Sequence, residues 1–192
     1  KIVAMSGVTT PASSPTHPYM RTGKPPDSPA YSDPTRFLSL LMSAMFAGKR
    51  TRPEILTMLS YLGSCVTAPS EADMQCLLHV FEYLKGTVDL GLFFKPNSMQ
   101  LYYWCDAAYG VHSDMKGHTG MFAALGQGNA PIVAKSTKQK LNTRSSTESE
   151  LVALDDTLLH LLWLIQVIGF LGYPQSPVYV YQDNKSTMTV CN

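Results

Sequence analysis

Charge is scarce in this sequence. Only 15% of its 192 residues are Asp, Glu, Lys or Arg, and 15 basic against 14 acidic side chains leave a formal net charge of +1. So small a charge excludes an overall electrostatic pull toward nucleic acid, and any such attraction has to come from a local patch. Cysteine is sparse as well. Cys65, Cys76, Cys105 and Cys191 are scattered, without the spacing of a zinc site or the density of a disulfide scaffold, and read as reduced thiols of an intracellular compartment. No run of 18 apolar residues is present, so neither a membrane-spanning helix nor a membrane partner is expected. The opening KIVAMSGVTTPASSP lacks the apolar segment of a signal peptide. The first residue is not Met, and the chain stops at TVCN just after a strand-like run. Both ends are therefore expected to be cut from something longer.

Apolar residues, at 45%, suffice for one ordinary domain or two small ones. Residues 1–30 hold many of the prolines, with Ser, Thr and Gly between them, and read as an irregular linker. Helical patterns follow in residues 31–86. The first begins at Asp33 or Ser32 as cap with Pro34 in the first helical position, and ends at Gly48. The second has Thr51 near the cap, Pro53 in the first turn and Gly63 at its end. The third opens on Ser70-x-x-Asp73, a capping box, presents Leu77, Val80, Phe81 and Leu84 on one face, and stops at Gly86. Each has one apolar stripe, so the three are expected to pack together.

From residue 87 the period changes. LGLFF, LYYWCD, TGMFAALG and APIVAKS are β-prone runs separated by turn residues. A long helix over about 147–170 is apolar nearly all round, so it is expected to be buried on more than one side. SPVYVYQDN reads as a last strand. A crossover helix makes that strand parallel to one of the others. The expected fold class is therefore mixed α/β: three antiparallel strands, a long helix and a further parallel strand, preceded by a small helical segment.

Two of those strands end in aspartate, Asp106 after YYWC and Asp183 after VYVYQ, and Glu150 lies in the first turn of the helix between them. If the strands are neighbours, three carboxylates converge. Their repulsion is costly unless cations neutralise it, and an all-oxygen donor set selects Mg²⁺ or Mn²⁺. Two such ions roughly 4 Å apart are a recurring device for in-line phosphodiester cleavage. Each residue also has a plainer reading. Asp106 is a turn starter, Thr147-x-x-Glu150 is itself a capping box, and Asp183-Asn184 is a turn or a cap. Glu148 competes with Glu150 for any role but suits the helix dipole. Asp155 and Asp156 read as a solvated helix face. His112 and His118 lack the partners and spacing of a zinc site.

Taken in order, these motifs resemble the ribonuclease H domain of copia-type retrotransposon Pol polyproteins. WCDAAYG resembles that family's strand with its first catalytic aspartate, and KSTKQKLNTRSSTESELVAL resembles the segment that opens its first long helix. LLWLIQVIGFLGY continues that helix, and VYVYQDNKSTM resembles the next strand with its Asp-Asn pair. Upstream, RTRPEILTMLSYLGSCVTAPSEADMQCLLHVFEYLKGTVDLGLFF is similar to the helical segment between reverse transcriptase and ribonuclease H. The resemblance covers about residues 31–192. It implies a ribonuclease H-like domain at 87–192, a connection segment at 31–86, and Asp106, Glu150 and Asp183 as catalytic metal ligands.

The implied activity is Mg²⁺- or Mn²⁺-dependent cleavage of the RNA strand of RNA–DNA hybrids during reverse transcription, with two ions in the complete domain. The implied partners are the hybrid and the remaining Pol polyprotein with its reverse transcriptase. The implied location is cytoplasmic, in a virus-like particle, or nuclear. The family pattern continues to a further strand, a His and a fourth Asp, which this chain does not include, so a C-terminally truncated domain is expected. The alternative reading is a catalytically inactive, truncated or domesticated remnant that keeps the fold and binds nucleic acid or protein. No YVDD-like polymerase pair is present. Lys135, Lys138, Lys140 and Arg144 form a local basic cluster just before the Glu150 helix. It reads either as a solvated turn or as a phosphate-tracking patch beside a cleavage site.

Overall fold

The computed structural model of the chain describes residues 2–191. The chain forms two compact units that divide after Gly91, a few residues beyond the boundary at 86 expected from the pattern.

The first unit is helical. α3 (Pro34–Arg50) starts as the sequence implies: Asp33 caps it by accepting from the Arg36 N–H at 2.9 Å, and Pro34 occupies the first position. It runs past Gly48 to Arg50. Pro53–Ile55 form a 3₁₀ turn before α4 (Leu56–Gly63), and α5 (Glu71–Gly86) opens on the complete Ser70/Asp73 capping box. Phe37, Leu40, Leu41 and Ala44 of α3 meet Ile55, Leu59 and Leu62, and Leu77, Val80, Phe81 and Leu84 of α5, in one core. The stretch read as a linker carries two short helices, α1 (Ile2–Ser6) and α2 (Tyr19–Thr22). Its Ile2, Val3, Val8, Ala12, Tyr19 and Met20 pack against that core. The Ala12 N–H reaches the Glu82 carbonyl at 3.0 Å, and Lys85 Nζ reaches the Val8 carbonyl at 3.1 Å. These hydrogen bonds give the proline-rich stretch the partners its irregular backbone needs.

The second unit is the mixed α/β domain expected. β1 (Leu101–Ala108), β2 (His118–Leu125) and β3 (Val133–Lys138) form an antiparallel meander. The long α6 (Ser146–Phe170) crosses over, and β4 (Tyr179–Tyr181) joins β1 in parallel, giving the sheet order β3-β2-β1-β4. This is a ribonuclease H-like arrangement. A last helix, α7 (Lys185–Cys191), follows β4. LGLFF is not a strand; residues 90–96 run without regular structure, because the run finds no partner in the sheet. Leu101, Tyr103 and Cys105 of β1, with Met121 and Ala123 of β2, face Ala153, Leu161, Leu164 and Ile168 of α6. The Tyr103 hydroxyl donates to the Thr157 carbonyl at 3.0 Å and locks the helix to the strand.

α6 is buried on one side only. Leu159, Trp163 and Phe170 are more than half exposed, so the expectation of burial on more than one side is not met. By length and composition alone α6 is also long and apolar enough to cross a membrane. The sequence reading missed this by requiring an unbroken apolar run.

On the opposite sheet face Tyr102, Trp104, Phe122, Tyr179 and Tyr181 stack across three strands, with ring centroids 4.4–6.2 Å apart. The alternation of β1 accounts for both faces: its odd positions enter the core and Tyr102 and Trp104 point away.

Candidate metal centre

The register of β1 and β4 sets the first two carboxylates. Tyr102 pairs with Tyr179 and Trp104 with Tyr181, so two residues further along the parallel strands Asp106 and Asp183 come abreast. Asp106 lies inside β1, opposite Gly120 of β2, and not at the strand end as expected. Asp183 stands just beyond β4 in the turn that leads to α7.

The third carboxylate comes from the first turns of α6. Its N-cap is Ser145, whose side chain accepts from the Glu148 N–H at 3.1 Å, while Glu148 Oε2 accepts from the Arg144 N–H at 2.6 Å. The expected cap at Thr147-x-x-Glu150 is thus displaced by two residues, and Glu148 is consumed in capping. Glu150 is left on the core-facing stripe of the helix, one turn before Ala153 and two before Thr157, and is 5% exposed. Asp155, on the other side, is exposed.

A carboxylate oxygen from each of Asp106, Glu150 and Asp183 lies within 4.8 Å of the others. Among the described residues this is the one group of three or more His, Cys, Asp or Glu side chains so arranged. Glu150 accepts one hydrogen bond, from Gln182 Nε2 at 3.0 Å. Burial above all, then the neighbouring charges of Asp106 and Asp183, pushes its carboxyl up to about 7, against the lowering effect of the Gln182 donor. No Lys or Arg pairs with any of the three among the described residues. A hard divalent cation fits this donor set: all ligands are oxygens, they converge within coordinating range of a common point, and their mutual repulsion is what a cation relieves.

The helix that carries Glu150 is fixed by a buried amide, a feature the sequence reading did not identify. Gln139, 1% exposed, donates from Nε2 to Thr119 Oγ1 at 3.2 Å and to the Ser149 carbonyl at 2.9 Å, and accepts from Ser149 Oγ at 3.0 Å. A Cβ on Gly117 would collide with both Gln139 Oε1 and Ser149 Oγ, so a side chain there would displace this hydrogen-bonded pair. The only prior signal was a polar residue in a stretch otherwise read as a basic turn.

The basic cluster divides. Lys138 is bound to Asp114 at 2.8 Å, and Lys135 Nζ points to the Asp156 carbonyl at 3.5 Å. Lys140 and Arg144 are exposed and have no ion pair among the described residues. His112 and His118 are buried and joined Nε2 to Nδ1 at 3.0 Å, and His118 Nε2 meets Ser136 Oγ at 2.7 Å. Burial, followed by the neighbouring His112, pushes His118 down to about 4. The pair ties the β1–β2 loop to β3 and does not join the carboxylates.

No protein-family model matches the chain. It is similar to the retrovirus-related Pol polyproteins from transposons RE1 and RE2 of Arabidopsis thaliana, at 31% identity over 163 residues and 32% over 162. Each match takes in 83% of this chain and 11% of the polyprotein. Its homologues are retrotransposon Pol polyproteins. The chain is also 33% identical over 136 residues to an uncharacterized mitochondrial protein of the same plant, a match covering 69% of this chain and 55% of that protein. It therefore spans about a tenth of the length of the polyproteins it matches.

Proposed function

We propose that the second unit is a ribonuclease H that hydrolyses the RNA strand of RNA–DNA hybrids during reverse transcription. In this reading the first unit is the helical connection to a reverse transcriptase within a Pol polyprotein. The observation that carries the reading is the convergence of Asp106, Glu150 and Asp183 on a mixed sheet of the ribonuclease H-like kind, with no Lys or Arg ion pair to any of them among the described residues. Asp106, Glu150 and Asp183 would hold Mg²⁺ or Mn²⁺, which when bound supplies Lewis-acid activation of water and stabilisation of the leaving oxygen in phosphodiester hydrolysis.

The remaining work falls to the protein. β1 and α6, locked together by Tyr103–Thr157, with the start of α6 also held to β2 through Gln139, keep two ligands on rigid elements, as a site that tolerates little displacement requires. Lys140 and Arg144 are free to meet phosphates, which orients a duplex without reading its sequence. The test is cleavage of a labelled RNA strand in a hybrid, with Mg²⁺ and with EDTA, by the parent and by Asp106→Asn. The parent alone should cleave, and only with Mg²⁺. Equal rates for the two proteins reject the reading.

One observation favours a second reading. A relative of which this chain spans 55% is described as an uncharacterized mitochondrial protein, and the second reading is a truncated or domesticated remnant. Such a remnant would keep the fold and bind hybrid without cleaving it, an outcome the same assay separates from the first when binding is measured alongside.

A further inference from the structure

Gln182 sits between β4 and Asp183, in a position the chemistry above does not require. Its side-chain amide has only one possible orientation. The Asn184 backbone N–H, which can only donate, lies 3.1 Å from Oε1, so the –NH₂ group faces Glu150, whose Oε2 it meets at 3.0 Å. The turn carrying this amide is itself held. Asn184 Oδ1 accepts from the Thr187 N–H at 3.0 Å at the start of α7, and Thr187 Oγ1 donates to the Thr147 carbonyl in the first turn of α6 at 3.4 Å. Residues 182–187 thus form a clamp between the strand that supplies Asp183 and the helix that supplies Glu150. Among the described residues Gln182 is the one side chain with an N–H donor on the Glu150 carboxylate, and it engages one of the two oxygens.

We propose that Gln182 is a positioning residue: it fixes the rotation of the Glu150 carboxylate so that the other oxygen faces Asp106 and Asp183, and thereby sets the affinity of the centre for a divalent cation. The proposal rests on the metal-centre reading above. Groups that orient a metal ligand from behind typically change metal affinity 10–100-fold when removed. Gln182 is half-buried, so its replacement does not open a core.

The test is Mn²⁺ binding by calorimetry on the full chain, with thermal midpoints in EDTA as the control for folding. Gln182→Leu removes the donor, and Mn²⁺ affinity should fall at least about 10-fold with a midpoint in EDTA close to that of the parent. Gln182→Glu has nearly the same shape and can still accept from Asn184, but it cannot donate to a charged Glu150. It should lose affinity as well. Parent-like binding by Gln182→Leu overturns the proposal, and tighter binding by Gln182→Glu overturns it too, by showing that the side chain acts as a ligand. Asp106→Asn separates this failure from that of the underlying reading. If the parent and Asp106→Asn bind Mn²⁺ alike, there is no metal centre. If Asp106→Asn loses binding while Gln182→Leu does not, only the role of Gln182 falls.

Discussion

Asp73 in the helical unit is 1% exposed, and its carboxylate receives the Ser70 N–H at 2.9 Å, the Ser70 hydroxyl at 2.7 Å and the Lys24 ammonium at 3.0 Å. Glu150 in the sheet unit is 5% exposed, receives one amide donor, and faces two further carboxylates. Burial pushes both groups up. In Asp73 the hydrogen bonds from Ser70 and the Lys24 charge overcome it, and the net shift is downward. In Glu150 the neighbouring charges reinforce it. The same residue class is thus satisfied in one unit and left uncompensated in the other. A buried carboxylate that the fold itself satisfies is serving the fold, whereas one left in mutual repulsion marks a place where something from outside is to be bound.

The contrast is broken most severely at Asp106. Asp106→Asn should lower Mg²⁺-dependent hybrid cleavage by at least about 100-fold, roughly 3 kcal/mol in the barrier, while hybrid affinity stays equal or rises because one negative charge has left. A gel assay of labelled RNA measures the first and fluorescence anisotropy the second. Retained turnover would make Asp106 a structural residue like Asp73.

The two carboxylates should also respond to pH with opposite sign. Glu150 binds its proton more tightly folded than unfolded, between the ordinary 4.5 and about 7. Across that window the folded state therefore holds more protons, and stability in EDTA should fall as pH rises, by on the order of 2–3 kcal/mol. Glu150→Gln should remove this slope and be the more stable protein at pH 8. Asp73, held below its ordinary 3.8, should instead contribute stability above that value and lose it as pH falls further. Urea titrations over a pH series read both, and a flat profile for the parent would remove the electrostatic distinction.

A smaller effect is expected from Asp73→Ala. Losing the capping box and the Lys24 pair should cost about 1–2 kcal/mol of stability and leave cleavage well below the melting temperature unchanged. If cleavage fell in parallel, the helical unit would be contributing to the site after all. The smallest expected change separates the two kinds of lysine. Lys140→Ala should weaken hybrid binding a few-fold and reduce the salt slope by up to about one counterion. Lys138→Ala should do less, because that ammonium already has Asp114.

Local chemistry was legible in the sequence wherever it is decided within a few residues. Asp33 with Pro34 and the Ser70/Asp73 box mark helix starts through hydrogen bonds that neighbours alone determine, and the structure has both. The alternation in LYYWCD and the crossover before VYVY were enough for an antiparallel meander with one parallel strand, because period and handedness leave few arrangements; that this strand lies beside β1 was visible only in the fold.

Other features depended on partners distant in sequence. LGLFF has the composition of a strand but finds no partner in the sheet, and Gln139 and Gln182 look like surface residues until Ser149, Thr119 and Glu150 surround them. The choice between Glu148 and Glu150 turned on a cap two residues earlier than expected. Ser145 and Arg144 engage Glu148, and the helix periodicity then directs Glu150 to the core. By itself the sequence determined which residues were available as ligands and where the long helices and the three longer strands of the sheet lie. Only the tertiary structure decided that the register of β1 with β4 and the pinned start of α6 bring three negative charges within 4.8 Å of one another, because that closeness depends on packing accumulated over the whole unit to hold together groups that repel.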